Sequence, residues 1–154
     1  MATETSYVNS LPHFIADPGS VEKIPGRQIK WAAVSDSFID AETGLKVLRA
    51  GQMVSELADT VGDEGKLIDY GGTDAEASPD ETPTTAIGLL ASDAHEEAPE
   101  ESLSGYGVYV GGVVFENLLP QGPDTGLSAG EKTALTNGGA TFKWVLYSDS
   151  RAPA

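Results

Sequence analysis

The sequence predicts a compact, mainly β domain of short strands, with one short helix near its C-terminal end and an extended N-terminal arm. Eighteen glycines and nine prolines interrupt the 154 residues at short intervals, which favours short strands and turns over long helices. Between them the apolar stretches alternate with a period of two or run as β-branched and aromatic residues, and a single segment carries helix start and stop signals. The length suits one ordinary core and is too short for two well-developed ones.

Residues 1–26 read as the arm and residues 27–154 as the β-rich domain. In the arm, Pro12, Pro18, Gly19, Pro25 and Gly26 break any regular pattern. Its apolar side chains, Tyr7, Val8, Leu11, Phe14 and Ile15, are more than a solvated tail needs. Such a segment either orders on the surface of a partner or packs on its own domain.

In 27–34 (RQIKWAAV), Ile29, Trp31 and Ala33 fall on one side, which predicts a strand. Segments 45–48 and 52–57 flank Ala50-Gly51 and predict two short strands around a tight bend. Gly65 opens a further strand over 66–70, and 71–83 (GGTDAEASPDETP) predicts an exposed polar loop. The unbroken apolar centre of 84–90 (TTAIGLL) suits a strand buried on both faces, with Gly88 admitting a bend or a close neighbour. After the acidic loop 92–102, residues 106–115 (YGVYVGGVVF) give the strongest strand signal, with Gly107, Gly111 and Gly112 marking bulges or close backbone approaches.

The helix is predicted over 129–136. Ser128 and Glu131 have capping-box spacing, and Asn137-Gly138-Gly139 supplies the stop. The closing strand, 140–147 (ATFKWVLY), places Phe142, Trp144 and Leu146 on one face and Lys143, Val145 and Tyr147 on the other. No internal repeat is evident.

The formal charge is −15, from 24 acidic and 9 basic residues, and mean hydropathy is −0.18 with 40% hydrophobic residues. Thirteen acids lie between Asp59 and Glu101, where Lys66 is the one basic residue. A surface of that sign repels phosphate backbones and anionic lipid, so neither nucleic acid nor membrane is an expected partner. It suits a solvated, self-repelling exterior, or else a specific basic partner. Cysteine is absent, which excludes disulfides and thiolate metal sites. No apolar run approaches the roughly 18 residues of a membrane-spanning helix, and the N-terminus lacks the pattern of a secretory signal.

The motifs that carry chemistry elsewhere are weak here. Asp124-Thr125-Gly126 spells the aspartic-protease triplet, but that chemistry needs an apolar strand delivering the Asp to a second carboxylate. Here Gln121-Gly122-Pro123 precedes it and a helix follows, so the triplet reads as a turn. His95, within Asp93-Ala94-His95-Glu96-Glu97, matches no zinc spacing, and neither acidic turn (36–44 or 59–65) meets the ligand register of an EF-hand. No nucleophile elbow or phosphate loop is present. Catalytic residues, cofactor and metal are therefore not expected. Trp31, Trp144, Tyr106 and Tyr109 suit core or subunit contacts; a sugar-stacking platform is the alternative.

The order of AGQMV (50–54), GKLIDY (65–70), AIGLLASD (86–93), VYVGGVVF (108–115), then EKTALTNGG (131–139) and ATFKWVLY (140–147), resembles the lambda-type head decoration proteins of tailed phages. The resemblance spans about residues 45 to 147. The segment up to Asp40, the acidic loop 71–83 and the tail SDSRAPA depart from the family pattern. The resemblance implies a β-barrel-like (β-tulip) fold and a homotrimer capping local threefold sites on the outer surface of an expanded virion capsid assembled in the host cytoplasm. It also implies an N-terminal arm docked on the major capsid protein, with no catalysis and no cofactor. Tyr7, Val8, Leu11, Phe14 and Ile15 would then dock on the capsid, and Tyr109, Val113, Phe115 and Trp144 would be trimer contacts. A surface-displayed module binding carbohydrate or serving adhesion is the alternative function.

Overall fold

The computed structural model describes residues 12–58, 63–96 and 105–148. Its strands are β1 (Glu22–Arg27), β2 (Val47–Leu48), β3 (Met53–Glu56), β4 (Leu67–Asp69), β5 (Gly88–Leu90), β6 (Ala94–His95), β7 (Tyr106–Phe115) and β8 (Thr141–Val145), with one α-helix, α1 (Ala129–Asn137). The domain is therefore mainly β, as its turn-rich composition predicts.

β7 is the spine. Tyr109 pairs with Lys23 of β1 and with Leu89 of β5, and Gly111 pairs with Glu22 of β1 and with Thr141 of β8. One edge of β7 therefore carries β1, and the other is shared end to end by antiparallel β5 and parallel β8. The sheet continues from β5 through β3 to β4, while β2 and β6 form a separate two-stranded sheet. Among the described residues β1 and β4 end the strand order, and the chain just past β1 touches β4 only through the single parallel bridge Ile29–Leu67, so the closed barrel expected from the resemblance is not formed.

Alternation along the strands divides the core into two layers. Met53, Leu89 and Tyr109 face one side, where Leu135 of α1 and the 119–127 turn cover them. Val54, Leu67, Leu90 and Val108 face the other, covered by Trp31, Val34 and Leu48. Between the paired residues Glu22–Gly111 and Lys23–Tyr109, β7 carries Val110 as the extra residue of a bulge. The bulge re-aims the strand, so that Tyr109 and Val114 reach the same layer.

Two glycines set the closeness of packing. A Cβ on Gly88 would overlap the Tyr109 carbonyl, and one on Gly138 would overlap the Ala86 carbonyl. The first lets β5 lie against β7, and the second seats the end of α1 on the residues leading into β5. At the start of α1, the Ser128 hydroxyl accepts from the Glu131 N–H at 3.1 Å and the Glu131 carboxylate accepts from the Ser128 N–H at 2.8 Å. This is the capping box predicted from the spacing.

Several elements differ from expectation. The strand predicted over 27–34 is the end of β1, a lone bridge from Ile29 to Leu67 and a 3-10 turn over Trp31–Ala33. Segments 45–48 and 52–57 do form β2 and β3, but β2 pairs with β6, inside the segment predicted as an acidic loop, and not with β3. The loop 71–83 is tied down: Asp74 and Glu81 exchange backbone hydrogen bonds, and the Glu81 carboxylate accepts from the Ala58 N–H.

The largest change concerns the arm. Phe14 is 0% exposed and Ile15 is buried. Ala16 donates to the Val113 carbonyl at 2.9 Å, and Phe115 donates to the Phe14 carbonyl at 2.8 Å. The chain from residue 14 to Arg27 thus runs antiparallel along β7, interrupted by a 3-10 turn over Pro18–Ser20. The boundary expected at residue 26 falls inside the sheet, and what precedes Pro12 lies outside the described residues.

Candidate functional site

β8 is the strand in which apolar composition and exposure coincide. None of its five residues is buried, and it pairs with β7 alone among the described residues. β1, at the opposite edge of β7, likewise has no buried residue among those whose burial is described, but its sequence EKIPGR brings charge and a proline to the edge. Charge and proline blunt an edge strand against further pairing; TFKWV carries one lysine among aromatic and β-branched residues.

The parallel register defines two faces. Val113 pairs with Lys143 and Phe115 with Val145, while Val114 pairs with Trp144. Val114 is buried in the layer beneath α1, and Phe142 and Trp144 pack against that layer, half-buried. Phe142 and Trp144 stack tilted at 5.1 Å. Lys132 lies 5.9 Å from the Trp144 ring centre and 2.9 Å from the largely buried Glu116 carboxylate, which fixes the rim of this side.

On the opposite face Val113, Phe115, Lys143 and Val145 are all at least partly exposed. Tyr147 extends this surface, its ring edge-on to Phe115 at 5.4 Å. The Asn117 side chain holds the end of the strand, accepting from the Tyr147 N–H at 2.8 Å and donating to the Tyr147 carbonyl at 3.1 Å. Leu146 is 65% exposed and Tyr147 45%. The surface so formed is mainly apolar, with Lys143 as its charged group.

The predicted contact residues separate accordingly. Val113 and Phe115 lie together on the open face, and Trp144 lies on the reverse side of the same strand pair. Tyr109 is 4% exposed, beneath Phe14, so it is a core residue and not a surface contact. Its phenol titrates above the usual tyrosine range because burial disfavours the anion. Of the predicted docking residues, Phe14 and Ile15 are spent on the domain's own core, a correction to their assignment. Tyr7, Val8 and Leu11 lie outside the described residues.

A groove of about 620 Å³ opens where the described chain begins, lined by Pro12, His13, Arg49, Asp93, Leu118 and Pro120 among others. Two of its polar side chains are engaged locally: Asp93 accepts from the Ala50 N–H at 2.8 Å and lies 3.4 Å from Arg49.

The charged groups elsewhere act as struts. Lys30 Nζ lies 2.6 Å from Asp63, 2.9 Å from the fully buried Asp74 and 3.3 Å from Glu76. Burial alone would lower the pKa of this ammonium, but hydrogen bonds to the three carboxylates outweigh it and hold the pKa above the usual lysine range. Hydrogen bonds from Lys30 and Lys66 hold Asp63 below the usual carboxylate range. Lys30 thus acts as a charged strut joining the three carboxylates. Lys46 donates to the Trp31 and Val34 carbonyls, and the buried Asp69 accepts from the Ser35 N–H and hydroxyl. These four hydrogen bonds fasten the 31–35 segment over the sheet.

Asp124 sits exposed on the turn before α1 at a φ of 68°, its N–H donating to the Asn117 carbonyl. The Asp-Thr-Gly triplet therefore has turn geometry. Trp31 belongs to one core layer with Tyr106, and Tyr109 and Trp144 to the other, so these four aromatics form no common platform. Among the described residues no helix is long and apolar enough to cross a membrane. Comparison with protein-family models, curated proteins and solved structures finds no match.

Proposed function

We propose that the protein is a capsid decoration protein, binding the exterior of an expanded phage head as a homotrimer at local threefold sites and stabilising the shell. One observation carries the reading: a chain of net charge −15 keeps an apolar strand pair, Val113, Phe115, Val145 and Tyr147, open at the edge of its sheet. An exposed apolar edge strand is a hazard for an isolated domain and an asset for one that is covered in an assembly. The acidic remainder keeps the unassembled protein apart from itself and suits the outside of a particle. The order of strand motifs resembling the head decoration family supports the same reading.

Capsid docking falls to the residues before Pro12, including Tyr7, Val8 and Leu11, because Phe14 and Ile15 are core. The test mixes full-length protein with expanded, undecorated heads from its own source and sediments them. Saturable binding in multiples of three copies per lattice site is expected, with raised resistance of the heads to heat. Protein that stays in the supernatant at all concentrations overturns the proposal.

A further inference from the structure

Among the described residues, large apolar side chains stand exposed at two separate places. One is the end of β8, Leu146 and Tyr147. The other is a hairpin before β2, Ile39 and Leu45, at 45% and 43% exposure. The hairpin is well built: Ile39 bridges Lys46, Asp40 donates to the Leu45 carbonyl at 2.8 Å, and Gly44 donates to the Asp40 carbonyl at 2.7 Å.

The two places carry opposite charge. On the hairpin side, Lys46 turns inward to the Trp31 and Val34 carbonyls and lies 3.7 Å from the Asp36 carboxylate, which leaves Asp40 and Glu42 to set the outward sign. On the β8 side, Lys143 is exposed and has no ion pair among the described residues, whereas Lys132 is held by Glu116. Like patches meeting across a twofold axis would bring lysine to lysine or acid to acid, which is repulsive. Unlike patches meeting head to tail satisfy both the apolar and the charged groups, and a head-to-tail contact that closes makes a ring.

We propose that these patches are the two halves of one contact between copies of this chain: the β7–β8 face of one copy seats the 39–45 hairpin of the next, with Lys143 facing Asp40 and Glu42. This deepens the decoration reading and rests on it for the assumption that copies meet.

The absence of native cysteine makes the contact directly testable. Full-length Leu45→Cys and Val145→Cys variants, checked for folding by circular dichroism, are treated with a short bismaleimide, separately and mixed, in solution and on decorated heads. The expected result is a covalent pair only in the mixture, and closed covalent trimers from the double variant. Pairs formed by either variant alone overturn the head-to-tail arrangement. Absence of any crosslink in both settings, from folded protein, overturns the contact. As a second arm, Lys143→Glu should abolish the crosslink, and adding Asp40→Lys and Glu42→Lys should restore it; no rescue counts against the charge pairing. Failure of the contact with head binding intact removes this inference alone. Crosslinking without head binding removes the decoration reading and leaves the contact standing.

Discussion

Phe14 meets Tyr109 edge-on, with ring centres 6.2 Å apart and planes at 81°. One ring comes from the segment that reads as an arm and the other from the central strand, so the N-terminal segment is part of the fold from residue 14 onward. Tyr109 in turn pairs with Leu89 and Lys23, which makes this contact the point where four segments converge.

The first expected outcome concerns truncation. Removing residues 2–11 should leave thermal unfolding close to that of the full chain, while removing residues 2–25 should abolish cooperative unfolding, since the latter deletes Phe14 and most of β1. Phe14→Ala should cost about 3–5 kcal/mol in denaturant unfolding. Binding to expanded heads should be lost on removing 2–11, and normal decoration by that variant would count against docking through the N-terminal residues.

Lys30→Met should destabilise by about 1–3 kcal/mol, because it leaves the buried Asp74 carboxylate without its cation. The pH dependence has a definite sign. Asp63 has a lowered folded pKa, so its contribution is present above the ordinary carboxylate value of 3.8 and is lost as pH falls through the lower folded value. Lys30 has a raised folded pKa, so its contribution is present below 10.5 and is lost only as pH rises through the higher folded value. Urea titrations from pH 2 to 8 should show the wild-type advantage over Lys30→Met shrinking at the acid end. An equal gap at every pH would contradict this account.

Gly88→Ala should be far worse than an ordinary glycine-to-alanine change in a strand. The added methyl meets the Tyr109 backbone and the Val108 side chain, and a backbone neighbour inside a paired sheet cannot move aside. A loss of about 1–3 kcal/mol or more is expected from the overpacking, read as a lowered unfolding midpoint.

Phe115→Ser combined with Tyr147→Ser should leave the folded domain intact, judged by its circular dichroism, while weakening self-association measured by sedimentation. Both side chains lie on the open face and neither belongs to a buried core layer. Unchanged association would count against this face as the assembly surface.

The parts legible in the sequence were those decided by neighbours along the chain. β7 matches its predicted bounds because ten consecutive residues of high strand preference leave the backbone little choice. α1 follows from Ser128, Glu131 and Gly138, all within a dozen residues. The segment 27–34 misled because a short alternation of Ile29, Trp31 and Ala33 also arises from a bridge followed by one 3-10 turn. Over so few residues, periodicity does not separate the two. The candidate surface was partly legible: Val113 and Phe115, expected as contacts, are partly exposed on one face, whereas Tyr109, which suited either core or subunit contact and was assigned to contact, is core.

By itself, then, the sequence determined a turn-rich β domain, its one capped helix, its strongest strands and its acidic charge, since these depend on local conformation and composition. Only the tertiary structure decided that Phe14 and Ile15 are buried, that β2 pairs with β6, and that the sheet leaves the β7–β8 face open. Each of these depends on which segments meet across tens of residues, and burial belongs to that meeting: the same Phe or Tyr serves as core or as contact surface according to what lies over it.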